Sequence, residues 1–167
     1  MKWEISAKQL VHFRQNGHIR FEPSPFPLPP LDHSQEKRDL WRTQPLLKKT
    51  ILRSLGPLIL ELTGKQPLRL LCDQWIETPL PSSPFSELFC FQGITVILSL
   101  TPSSLDVYDP SSLASQVPAE SYLVVFGCDP VRFINNPKDP YLLTCRKMGY
   151  QFGDVIISEF HPLLFPY

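Results

Sequence analysis

Four histidines and four cysteines are the side chains of this sequence best suited to chemistry, and their spacing decides what they can do. Cys72, Cys90, Cys128 and Cys145 form no C-x-x-C pair and have no neighbouring histidine to complete a zinc set, so they read as free, mostly buried thiols. No G-x-S-x-G, P-loop, G-x-G-x-x-G or H-E-x-x-H occurs. A cysteine nucleophile would need a histidine brought beside it by folding, and nothing in the spacing selects a pair. Asp106, Asp109, Asp129 and Asp139 stand near prolines and serines, where aspartate serves turns, and make poor carboxylate dyads. His161 has the clearest setting. It lies in the closing stretch M-G-Y-Q-F-G-D-V-I-I-S-E-F-H-P-L-L-F-P-Y, residues 148–167. There Gly149 and Gly153-Asp154 signal turns, and the β-branched run Val155-Ile156-Ile157 predicts a buried strand with His161 at its exit.

A Gly-Asp turn, an apolar strand and a histidine in that order resemble the last metal-ligand strand of the phytanoyl-CoA-dioxygenase-like branch of the Fe(II)/2-oxoglutarate-dependent oxygenases. Residues 9–21, Q-L-V-H-F-R-Q-N-G-H-I-R-F, resemble the opening of such domains, where a helix ends in glycine and feeds the first strand. The resemblance implies a double-stranded β-helix, a jelly roll of cupin-like form. It also implies Fe(II) held by two histidines and a carboxylate, with 2-oxoglutarate beside it. In the family the first histidine and the carboxylate come as H-x-D or H-x-E, on alternate residues of one strand. Here His12, His18, His33 and His161 are followed two residues on by Arg14, Arg20, Gln35 and Leu163. Where the motif belongs, residues 86–93 read S-E-L-F-C-F-Q-G, without a histidine. The family's 2-oxoglutarate clamp is an arginine or lysine about ten residues beyond the last histidine, and the six residues that follow His161 contain neither. The expectation is therefore a degenerate bacterial member, a pseudo-oxygenase without catalytic residues. Neither iron nor 2-oxoglutarate is expected as a cofactor, and His161 is the one weak metal candidate.

The elements that would position these residues follow from pattern. Ser6 and Gln9 form a capping box ahead of a helix that ends at Gly17, and 18–21 alternates like a strand. Residues 23–30 hold five prolines and predict a stiff loop. Helices are expected over 34–43 and 46–63, the second with Leu47, Ile51, Leu55, Ile59 and Leu62 on one face and a kink at Gly56-Pro57. From residue 67 the period becomes strand-like, with runs at 68–76, 87–91, 94–100, 105–108, 121–127, 141–147 and 150–160. This is an α+β, mainly β single domain over 1–167. Its helical part, 1–66, buttresses a jelly roll formed by 67–167.

Composition bounds the partners. Sixteen basic and sixteen acidic residues give zero net charge, which removes any global attraction to nucleic acid, anionic membrane or acidic substrate. No apolar run approaches ~18 residues and no leader pattern opens the chain, so a cytoplasmic protein is expected. The function that fits is a non-catalytic binding or scaffold protein, with a protein or a small organic molecule as partner. One alternative is a nucleic-acid-binding regulator using Lys37, Arg38, Arg42, Lys48, Lys49 and Arg53, which otherwise read as a solvated helical face. Another is an active oxygenase with unconventional ligands.

Overall fold

The computed structural model describes residues 4–164; the last three residues of the 148–167 stretch lie outside them. Ser6 caps α1 (Ala7–Asn16): its hydroxyl accepts from Gln9 N while Gln9 Oε1 accepts from Ser6 N, and Gly17 closes the helix in the left-handed region. β1 (His18–Phe21) follows directly. After the proline-rich loop come α2 (Pro45–Thr50), a π-helical turn (Ile51–Leu55) and α3 (Gly56–Thr63). Pro57 lacks the N–H that would reach back one turn, and the ladder widens just before it, with Gly56 N–H bonding Ile51 O. Leu47, Ile51, Leu55, Ile59 and Leu62 are all buried, as their spacing predicts.

The remaining strands are β2 (Leu68–Ile76), β3 (Phe91–Leu100), β4 (Leu105–Tyr108), β5 (Ser121–Phe133) and β6 (Leu163–Leu164). With β1 they form one antiparallel sheet in the order β1-β4-β3-β5-β2-β6. The helices pack on one face, where Ile51, Leu55 and Ile59 meet Leu70, Val96, Leu98, Tyr122, Val124 and Phe126. The other face is covered by short turns, by α4 (Leu142–Lys147) and by the C-terminal loop. A bulge in β2 between Leu70 and Cys72 turns Leu71 and Cys72 together toward this second layer. Among the described residues no helix is long and apolar enough to cross a membrane.

Four expected elements differ. Residues 34–43 are not a helix: they lie along the open edge of β2, with Trp75 N–H on Lys37 O (2.7 Å) and Asp39 N–H on Asp73 O (2.9 Å), and only Leu40–Arg42 makes a helical turn. Residues 142–147 are helix α4 and not strand; just ahead of it Asp139 Oδ1 accepts from Tyr141 N (2.9 Å) in a turn that Pro140 favours. The expected 87–91 strand is not formed: a 3-10 turn (Phe85–Glu87) ends at its first residue, 88–90 are turn and bend, and Phe91 opens β3. Residues 150–160 make a single bridge, Arg132 to Val155. Gly153 and Ile156 N–H bond Phe133 O and Val131 O of β5 around that bridge, while Ile157 N–H goes to Tyr150 Oη, and Phe160 and His161 N–H to Ile157 O.

A buried polar cluster as candidate functional site

The 38–42 strap along the β2 edge sends alternate side chains to different places, and three polar groups form around them. Arg38 enters the second layer, with its side chain 4% exposed. It pairs with Asp139, touches Cys72 Sγ at 3.3 Å and lies over the rings of Phe89 and Tyr141. Asp139 also accepts from Cys90 N (2.9 Å), so one carboxylate ties the strap, the start of β3 and the start of α4. Burial pushes the Cys72 thiol up to about 12. A hydrogen bond with Cys145, reinforced by burial, raises Cys90 as well. These cysteines are neutral packing groups and not nucleophiles.

Trp41 and Asp39 accompany Asp73 on the strap side. Asp73 Oδ2 accepts from Trp41 N (2.9 Å) and from the Tyr122 hydroxyl, whereas Asp73 Oδ1, Asp39 Oδ1 and Trp41 Nε1 are buried without a hydrogen-bond partner. Burial raises Asp73 to about 7 against the pull of the Tyr122 hydrogen bond, and raises Asp39 too.

The third group surrounds His161. Arg42 Nη1 donates to Phe160 O (2.5 Å) and Nη2 to His161 Nε2 (3.3 Å). Its Nε lies 3.5 Å from Asp39 Oδ2, an ion-pair distance without hydrogen-bond geometry. Tyr150 Oη is 3.2 Å from His161 Nδ1, and the Phe91 ring meets the imidazole edge-on at 6.0 Å. Arg69 grips Asp129 through Nε and Nη2 (2.8 and 2.6 Å) and holds the C-terminal loop through Ser158 Oγ (3.0 Å) and His161 O (2.6 Å). Burial, Arg42 and Arg69 together lower His161 to about 3, so the imidazole is neutral.

The structure separates the candidates that sequence grouped. His18 donates toward buried Asp106 (2.8 Å), which Arg20 also grips, while His33 stacks on Trp75 and His12 sits on exposed α1. Among the described residues no three His, Cys, Asp or Glu side chains are placed to hold a metal. Of the six bases, Arg38 and Arg42 point inward and Lys37 pairs with Glu77. Lys48, Lys49 and Arg53 remain on the surface. Asp109 serves a turn as expected, through Ser111 N (2.9 Å), but Asp129 and Asp139 anchor the buried cations Arg69 and Arg38, and Asp106, itself buried, holds the more exposed Arg20 and His18, roles missed from sequence. The available signal was a charge inside an apolar strand, as in L-R-L-L-C-D and L-D-V-Y.

No family model and no curated protein matches the chain. Among solved structures it is similar to a non-heme alpha ketoglutarate dependent carbocyclase, SnoK from nogalamycin biosynthesis, with TM-score 0.70 and 11% identity, covering 96% of this chain and 97% of that one. It is also similar to CT296 from Chlamydia trachomatis, with TM-score 0.55 and 18% identity, covering 76% of this chain and 98% of that one. At these identities the likeness is one of fold alone: a β-rich architecture shared with these two structures.

Proposed function

We propose that this chain is a non-catalytic binding or scaffold protein on a reduced double-stranded β-helix, derived from the phytanoyl-CoA-dioxygenase-like branch. In this reading its former metal site has become packed polar core, and its partner is a protein or a small organic molecule in the cytoplasm. The observation that carries the reading is the state of His161. Both ring nitrogens are engaged, one by Arg42 and one by Tyr150, and a second guanidinium, Arg69, holds the carbonyl of the same residue and acts electrostatically on the ring. A divalent ion there would displace a hydrogen bond and sit beside two fixed positive charges. Phe91, in the stretch where the resemblance puts the histidine and carboxylate pair, offers that ring a hydrocarbon edge. Arg42 and Arg69, the nearby cations able to meet a 2-oxoglutarate carboxylate, are already bonded to Phe160 O, Asp129 and Ser158. The residues present do not fit iron or 2-oxoglutarate.

Metal analysis and thermal unfolding test this. The protein purifies without stoichiometric iron, and anaerobic Fe(II) with 2-oxoglutarate leaves the Tm of wild type and His161→Ala unmoved. Stoichiometric iron, or a Tm rise that His161→Ala removes, would contradict the proposal and restore an oxygenase with unconventional ligands.

A further inference from the structure

Arg42, His161 and Tyr150 together fix where one hydrogen must lie. A guanidinium only donates, so Arg42 Nη2 makes His161 Nε2 the acceptor. The neutral imidazole then carries its proton on Nδ1 and donates it to Tyr150 Oη at 3.2 Å. Ile157 N–H donates to the same oxygen at 3.1 Å. Both acceptor positions of the phenol are taken, and its own hydrogen meets no acceptor among the described residues. Tyr150 is only 7% exposed, and a buried donor without an acceptor is costly.

Tyr150 lines a groove of about 290 Å³ with Met148, Val155, Ile157 and Phe160. Val155 and Ile157 are 41% and 45% exposed, which leaves an apolar wall open at the surface. Asp154 stands in the same lining and disfavours an anion. We propose that this groove binds a small apolar molecule with a neutral carbonyl, which accepts the Tyr150 hydrogen while its ring or short chain lies against Met148, Val155, Ile157 and Phe160. The volume holds one such body and its carbonyl. The inference rests on the reading above in one respect: a metal on His161 would change the proton placement that leaves Tyr150 free to donate.

Backbone-amide NMR titration with three probes tests it. Acetophenone carries the carbonyl, ethylbenzene has the same shape without the oxygen, and benzoate adds a negative charge. Acetophenone binds saturably, with shifts at Gly149, Val155 and Ile157. It binds roughly fivefold more tightly than ethylbenzene, the factor one net hydrogen bond supplies, and more tightly than benzoate. Tyr150→Phe makes the first two probes equal. Because that variant also strips an acceptor from His161 and Ile157 and could loosen the loop, Ile157→Glu is the second variant: it keeps the phenol network and abolishes binding of both neutral probes. Equal affinities in wild type, a preference that survives Tyr150→Phe, tighter benzoate binding, neutral probes that still bind Ile157→Glu, or no saturable shift would each overturn the inference. Iron binding would instead overturn the non-catalytic reading, so the two failures are distinguishable.

Discussion

Replacing Asp73 with asparagine removes a buried charge while keeping its shape, and it should change the pH dependence of stability in a defined direction. Burial lifts Asp73 from 3.8 to about 7, so the folded state holds its proton more tightly than the unfolded chain. Its contribution is fully present below pH 3.8 and is lost as pH rises through about 7. At about 1.4 kcal/mol for each pH unit between the two values, the loss is on the order of 4 kcal/mol. His161 works in the opposite sense. Held near 3 instead of 6.5 by burial, Arg42 and Arg69, it contributes stability that is present above 6.5 and lost as pH falls toward 3. Over roughly pH 4 to 6.5 the two slopes oppose each other and nearly cancel; Asp39, raised by burial, adds to the Asp73 side.

In Asp73→Asn the side-chain carbonyl can still accept from Trp41 N and the Tyr122 hydroxyl, but the amide has nothing to ionise. The unfolding free energy of Asp73→Asn minus that of wild type should therefore climb with pH, by on the order of 1.4 kcal/mol per unit between about 4 and 7, and then level. His161→Gln should show the reverse, gaining on wild type as pH falls from 6.5 toward 3. Urea unfolding followed by tryptophan fluorescence over closely spaced pH values reads both curves. An Asp73→Asn difference that stays flat within about 0.5 kcal/mol, about a third of one such step, or that slopes downward, refutes the reasoning.

Other outcomes follow from packing and charge. Ile51→Ala, at a fully buried position on the helix stripe, should cost on the order of 2 to 4 kcal/mol in urea; under about 0.5 kcal/mol would mean the stripe is not core. Arg38→Met should cost about 3 to 5 kcal/mol by leaving Asp139 charged and unpaired, and adding Asp139→Asn should recover part of it; a double variant no more stable than Arg38→Met alone would contradict the pairing. With two of the six bases turned inward, wild type should show no DNA retention at low salt. Salt-sensitive retention abolished by Lys48→Ala with Lys49→Ala would bring back the regulator.

Local pattern made the α1 capping box, β1, β2 and β4 legible in the sequence, because each depends on neighbouring residues. The stripe through Ile51 and Ile59 was equally readable, being a property of one helical face. The 34–43 and 150–160 segments were not. Their backbones bond to a strand edge and to a tyrosine hydroxyl, partners set by tertiary structure, so helical or β-branched composition misleads there. Helix α4 was readable in principle from Asp139-Pro140, which the apolar Leu-Leu pair obscured. The same limit applies to the site. His161 stood out from its turn and strand signals, but Arg42, Arg69 and Tyr150 reach it from 119, 92 and 11 residues away.

Anaerobic calorimetry, titrating Fe(II) and then 2-oxoglutarate into wild type and His161→Ala, tests the central claim most directly. An imidazole whose two nitrogens are held by Arg42 and Tyr150 should give no one-to-one binding of either, and the two proteins should give the same trace. Stoichiometric binding at micromolar affinity in wild type that disappears in His161→Ala would contradict the account.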